Sequence, residues 1–554
     1  MAVGATVTGG PDGGGNNIGN SPEQSAQQFG ALYGAPTTHV GSTEFDIVLG
    51  EMKLAFTGAG FGSFDANGMP QVGHVTGLTV SDAVTAELGS SWQNISINVP
   101  ALEGYITGAH NGDLTAVPTM LGKLFGGNDH FISTVGPPDG GGDTFVGQGG
   151  NDIFDLQQSR SDTEVSGGGG ADVFNFGGAF RQFDKVDGGP GQDVLNLDGG
   201  NTGDNSPYFQ QMFLPPDWVP PPVVGPPQGL FLNPDSLTNV EKVVMATGSS
   251  YGFALQDANV IAGKTMIFDA SALGANDQLY LDAVAVTSGR LDVLGGAGND
   301  IVRFSSGGET FTGGAGDDSV VVGFGLSSDD RLDGGTGTDQ LVLNGDYSGL
   351  VLSPATVVNF ETLKLQGQHN YNITTADGTV AAGQTLTVIA GGVPPNRGVT
   401  FDGHKETDGS FNITGGAGAD HLTGGLNADT INGGSGDDVI TGGRGGDTLT
   451  GGPGVDTFHF NGPVDSTVAA PDLITDFTHT DRIDLSAIDA DTTTGGDQAF
   501  HMGATAGHAG DIQFHYDAGH NQTVVDLYTH HNTVIGAEFL LTGNIALTAS
   551  DFIL

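Results

Sequence analysis

Between Gly415 and His459 one large apolar residue returns at every ninth position: Leu422, Ile431, Ile440, Leu449 and Phe458. Each forms the centre of an x-U-x stretch, short enough for a three-residue strand whose middle side chain faces one way and whose neighbours face the other. A Gly-Gly pair separates each strand from the next. Glycine accepts positive φ, so the chain can turn sharply there and aim its carbonyl oxygens into the bend. Such a chain must reverse twice to return, so two units complete one turn of a coil. Residues 18 apart then lie one above another.

The pattern elsewhere is different. Phe45, Ile47 and Leu49 alternate, as do Met52, Leu54 and Phe56, and then Ile95, Ile97 and Val99. Alternation predicts half-buried strands, and Asn67-Gly68 stands where a tight hairpin would turn. These signals predict a small antiparallel β domain over 35–120. The stretch 1–34, rich in Gly, Asn, Gln and Ser, is expected to lack fixed structure. A degenerate form of the nonapeptide occupies 121–200, with good copies at 167–175 and 188–196. Prolines at 207, 215, 216, 220, 221, 222, 226 and 227 exclude an interior strand and make 201–234 a linker.

A gapless duplication follows. "NVEKV" at 239 matches "NFETL" at 359, and "LDVLGGAGND" ending at Asp300 matches "FNITGGAGAD" ending at Asp420, at a constant offset of 120. Each unit, 235–354 and 355–459, pairs a β-rich lead segment with a glycine-aspartate array. A fixed long period signals a repeat architecture. Residues 460–554 remain as a carboxyl-terminal cap. The expected fold is all-β: parallel β-roll segments, additional β-rich modules and the small amino-terminal antiparallel domain.

Composition sharpens the picture. Against 64 Asp+Glu stand 15 Lys+Arg, a formal charge of -49, which should repel nucleic acid and anionic membrane. There is no cysteine, hence no disulfide or thiolate chemistry. No apolar stretch is long enough to span a membrane, and the amino end lacks the basic start and apolar run of a cleavable signal.

Many of the acids sit in register. An Asp occupies the sixth place of every unit: Asp420, Asp438 and Asp456 on one edge of the coil, Asp429 and Asp447 on the other. Asp300 and Asp318 repeat the spacing, with Glu309 between them. Stacked carboxylates without counter-charge would force the coil apart, and Arg444 is the only Lys or Arg between 415 and 459. A hard divalent cation resolves the conflict. Ca²⁺ takes roughly six to eight oxygens at about 2.3–2.6 Å in tolerant geometry, whereas Mg²⁺ prefers a tight octahedron with retained water. The expected ligands are those seven aspartates with the glycine frame of Gly415, Gly418, Gly424, Gly433, Gly436, Gly442 and Gly445, holding several calcium ions.

The array G-G-x-G-x-D-x-U-x resembles the repeats-in-toxin (RTX) β-roll, a calcium-binding nonapeptide. "DLITDFTHTDRIDLSAID" at 472–489 is similar to the segment closing the roll in serralysin-type secreted proteins. "GNIALTASDFIL" resembles the uncleaved tail read by type I secretion systems, an acid before a final apolar triplet. The resemblance implies export from a Gram-negative bacterium to the outside, with calcium and the type I machinery as partners. Asp551, Phe552, Ile553 and Leu554 would then act as an address, making few contacts at a terminus. Near "DLYTHHNTVIGAEF" the family often has an acidic, glycine-containing loop, and this chain has histidines instead. The resemblance therefore extends no calcium site to 526–538.

RTX proteins often couple the roll to an enzyme. Yet no His begins an H-E-x-x-H, which removes the zinc protease of true serralysins. "GSSYG" at 248–252 fits the hydrolase elbow G-x-S-x-G, but its counterpart "QHNYN" at 368–372 lacks the serine. His501, His508, His515, His520, His530 and His531 crowd the last part of the chain, as a transition-metal site or, more plainly, as exposed turn residues. The reading that follows is a secreted calcium-binding protein without a catalytic centre, acting at the cell surface or in the matrix, with a surface polysaccharide or other cell-surface partner. The alternative is a hydrolase of polysaccharide or lipid housed in 35–120.

Overall fold

The computed structural model describes strand backbone alone within 1–127. Beyond that it describes 128–199 and 230–554, apart from 134–142, 158–162, 178–179, 182, 306–307, 504–507 and 531–534. The proline-rich stretch 201–229 and Asn67-Gly68 lie outside the described residues. Two compact units result, Met1–Asn299 and Asp300–Leu554.

In the first unit, Glu44–Leu49, Met52–Phe64, Pro70–Asp82 and Leu88–Asn98 form an antiparallel meander, with Phe64 opposite Pro70. Within the stretch for which composition predicts no fixed structure, Ala5–Val7 and Asn16–Ile18 pair antiparallel. After His130–Ser133 the pairing turns parallel. Phe131, Phe154 and Phe174 stack in one column, their rings 4.6 and 5.0 Å apart and nearly coplanar in orientation. In-register stacking of like residues is what a coil with constant turn geometry imposes, and offset aromatic pairs add to the burial term.

The second unit is built on the same plan. Leu422, Ile440, Phe458 and Ile483 stack on one face, and Ile413, Ile431, Leu449 and Ile474 on the other. All eight are buried. Their strand neighbours are mostly polar and partly exposed, as His421 and Thr423 are about Leu422 and Thr430 and Asn432 about Ile431. The lead segment 355–414 joins the same coil: its strands Thr385–Ile389 and Ser410–Thr414 pair in parallel with each other, and the latter with Thr430–Asn432. The coil therefore continues through residues where no nonapeptide is written.

Two features close the unit. Strands Asp511–Asp517, Gln522–Leu527 and Ala537–Thr542 form an antiparallel sheet, whose last strand lies parallel to Asp472–Ile474. The final strand, Phe552–Ile553, pairs with Arg482–Asp484. Asp551 is 1% exposed, with Nδ1 of His479 at 2.9 Å from its Oδ1. Its Oδ2 accepts the backbone N–H of Thr548 at 2.6 Å. The tail is thus docked on the coil, where the sequence leads one to expect few contacts. Covering an open coil end with a strand and buried Phe552 removes an exposed edge, which explains the docking. Among the described residues no helix is long and apolar enough to cross a membrane.

Candidate metal centre

The glycine-aspartate turns owe their shape to two different uses of glycine. Gly434 and Gly436 adopt φ of 102° and 123°, the left-handed region that a Cβ disfavours. Gly433 serves another purpose, because a Cβ there would collide with Oδ2 of Asp438 and stand 2.7 Å from the carbonyl oxygen of Gly451 in the next turn. Gly415, Gly424 and Gly442 meet Oδ2 of Asp420, Asp429 and Asp447 in the same manner. Gly445 repeats the positive φ of Gly436, at 135°. Gly418 lacks it and packs on the carbonyl of Arg397. Each aspartate therefore lies folded over its own glycine pair, close to main-chain carbonyls.

One oxygen of each carboxylate is spent on the stack. The N–H of Asp420 donates to Oδ1 of Asp438 at 2.8 Å, that of Asp438 to Asp456 at 3.0 Å, and that of Asp456 to Asp481 at 3.1 Å. On the other edge Asp429 donates to Asp447 at 2.8 Å and Asp447 to Asp472 at 3.0 Å. Asp300 and Asp318 continue the rule, donating to Asp318 and Asp339 at 2.7 Å each. Asp402, 18 residues before Asp420, is not in the ladder; it pairs with Thr423, and Val399 donates to Asp420 instead.

The second oxygen divides the aspartates into two groups. At the start of each edge it is satisfied internally: Gly416 N–H donates to Oδ2 of Asp420 at 2.5 Å, and Gly425 N–H to Oδ2 of Asp429 at 2.6 Å. Asp481 is closed in the same way by Thr478. By contrast Oδ2 of Asp438, Asp447, Asp456 and Asp472 is buried without any hydrogen-bond partner, as it is in Asp318 and Asp339. In the first unit the same holds for Asp152, Asp172 and Asp193. An unsatisfied buried carboxylate oxygen costs free energy of order 1–3 kcal/mol or more, so its repetition along a ladder calls for a partner.

Electrostatics give the same answer. Burial pushes Asp438 up to about 7, Asp447 to about 8 and Asp472 to about 9. Hydrogen bonds from the preceding turn pull the other way, and neighbouring carboxylates add to the rise. Burial likewise raises Asp318 to about 8 and Asp152 to about 8. These side chains resist ionisation unless a cation sits beside them. Clustered carboxylate and carbonyl oxygens, with no nitrogen or sulfur donor, form a hard donor set that fits calcium.

Family comparisons point to the same chemistry. The model for the RTX calcium-binding nonapeptide repeat (4 copies) matches 181–202 and 305–341. The model for the serralysin carboxyl terminus of M10 peptidases matches 407–554. The chain carries RTX calcium-binding repeats and a serralysin-type carboxyl-terminal segment. A search of curated proteins finds no match. The RTX repeat binds calcium, and repeat and tail together mark a secreted calcium-binding protein.

Sequence reading missed Asp339, Asp472 and Asp481, whose offsets of 21 or 25 residues depart from the nonapeptide count. The signal available was an Asp one residue before an x-U-x strand, whatever the loop length. Other singled-out residues serve local roles. Ser250 Oγ accepts the N–H of Gln278 at 3.0 Å, and no α-helix follows it, so the hydrolase elbow is absent there. The histidines lie at three different carboxylates: His501 and His508 share Asp511, at 3.4 and 3.5 Å, His515 lies 4.0 Å from Asp526, and His520 2.6 Å from Asp517. His530 bonds Thr492, and His531 lies outside the described residues. Asp377, Glu406 and Asp408 also converge, yet Val380 N–H takes one Glu406 oxygen and Thr407 bonds Asp377.

Proposed function

We propose that RTX turns of this chain bind calcium through the second oxygens of Asp438, Asp447, Asp456 and Asp472, and of Asp318 and Asp339. Main-chain carbonyls of the adjoining glycine turns would complete each shell. Asp420 and Asp429 sit at the outer ends of their edges and contribute after release from Gly416 and Gly425. Asp300 and the glycine frame of Gly415, Gly418, Gly424, Gly433, Gly436, Gly442 and Gly445 hold the turns in shape. When bound, the cation supplies positive charge between stacked carboxylates, which neutralises them and locks successive turns. The observation carrying this reading is the row of buried, unpartnered Oδ2 atoms along the interior of each edge.

One apolar side chain per nonapeptide makes a thin core, so the metal-free coil is marginal and calcium drives its folding. Low free calcium inside the cell would keep the chain unfolded and fit for export by the type I machinery. Higher calcium outside would close the roll. The folded product is a non-catalytic surface or matrix protein with an adhesive role. Two observations favour it over a catalytic role: Ser250 is tied into a turn, and among the described residues no carboxylate gathers more than the His501–His508 pair at Asp511. The test is adhesion of cells to protein-coated surfaces, alongside assays of the secreted protein on polysaccharides and esters. Adhesion lost in chelator, with no hydrolysis, is expected; hydrolysis would favour the enzyme.

A further inference from the structure

The corner loops between 323 and 398 carry side chains that the ladder does not use. Phe324 stands 71% exposed, its ring 5.6 Å from that of His369 and at 90° to it. Nδ1 of His369 lies 3.5 Å from Oδ1 of Asp346, and the same oxygen accepts the N–H of Asn370 at 3.0 Å. That N–H first, then His369 and Arg397, hold the Asp346 carboxyl below the ordinary carboxylate range. Nε of Arg397 is out of solvent and makes no hydrogen bond.

A single exposed ring is ordinary on a protein surface. The company it keeps is not, and the internal duplication provides the control. At the 120-residue offset, His369 corresponds to Ser249 and Arg397 to Asp277. Asp277 closes its own corner, accepting the N–H groups of Gly248 at 2.8 Å and Gly274 at 3.0 Å. The second copy has a guanidinium in place of that self-contained acid and an imidazole in place of Ser249, in a chain with 15 Lys+Arg against 64 Asp+Glu. The guanidinium of Arg397 is set against the carboxylate of Asp346, an opposite-charge pairing in a chain that carries -49 as a whole.

We infer that Phe324, with Asp346, His369 and Arg397, forms a subsite for an uncharged hexose ring of a surface glycan. The apolar face of a sugar fits an exposed aromatic face, and its hydroxyls can both accept from guanidinium or imidazole N–H groups and donate to a carboxylate. An acidic polymer meets the repulsion of the whole chain and fits less well. The inference deepens the adhesive reading and rests on it.

Affinity electrophoresis of the full, calcium-folded chain in gels containing laminarin, dextran or polygalacturonate tests it. Retardation by at least one of the two neutral polymers is expected, weakened roughly tenfold in Phe324→Ala. Phe183→Ala, which removes another exposed ring, should leave retardation unchanged, and an unaltered calcium midpoint verifies that Phe324→Ala folds. Retardation by polygalacturonate alone, by neither neutral polymer, or equally for Phe324→Ala and the parent overturns the site. A chain that still adheres to cells in any of those cases leaves the adhesive reading standing.

Discussion

The backbone N–H of Asp420 donates to Oδ1 of Asp438, 18 residues further on, while Oδ2 of Asp438 is buried and unpartnered. Asp438 thus holds one turn with one oxygen and leaves the other for a cation. Asp420 uses its second oxygen on Gly416. Losing Asp438 should therefore weaken two neighbouring turns, and losing Asp420 one. Asp438→Ala is expected to raise the calcium midpoint of folding and to flatten the titration more than Asp420→Ala does, because interior units couple to both neighbours. Equal shifts with unchanged steepness would mean that each aspartate serves an independent site.

Gly433 tests the close approach of carboxylate and turn. Gly433→Ala places a Cβ against Oδ2 of Asp438, an overpacking expected to cost about 1–3 kcal/mol. Gly391→Ala adds a methyl group where nothing lies within 4 Å. Thermal unfolding in calcium should show a clear drop for the first variant and almost none for the second.

The pH dependence has a definite sign. Burial above all raises Asp438 to about 7, Asp447 to about 8 and Asp472 to about 9. Without metal, the folded chain keeps protons that the unfolded chain releases near pH 4. It therefore binds more protons, and its stability falls as pH rises from about 4 towards about 9. In chelator the unfolding temperature should be higher at pH 5 than at pH 8. In calcium the order reverses, since protons compete for the same oxygens. A chelated protein that melts higher at pH 8 would refute this.

The carboxyl-terminal residues should matter to stability as well as to export. Deleting 551–554 removes the contact of His479 with Asp551, the bond to Thr548 and the strand Phe552–Ile553. Secretion is expected to fail, and the purified chain should unfold several degrees lower in calcium. An unchanged unfolding temperature would show that the docked strand contributes nothing.

How far the sequence could be read depended on the strictness of its period. Leu422 to Phe458 and the aspartates between them were legible because two nine-residue units per turn fix both the core column and the ladder. Asp472 was not, because the loop before it stretches the offset from 18 to 25 residues while strand and hydrogen bond stay in register. The lead segments hid their place in the coil for the same reason. Their columns, such as Val388 on Ile413, are spaced by loops of irregular length. The tail was misjudged from its position, since terminal location says nothing about an open coil end that needs a strand.

Circular dichroism of the full chain across a calcium titration tests the central claim most directly. In chelator at pH 8 the β signal of the coil should be largely missing, and it should appear cooperatively at free calcium of roughly 10⁻⁴–10⁻³ M and vanish again on chelation. A full β spectrum in chelator, unchanged by calcium, would contradict the account.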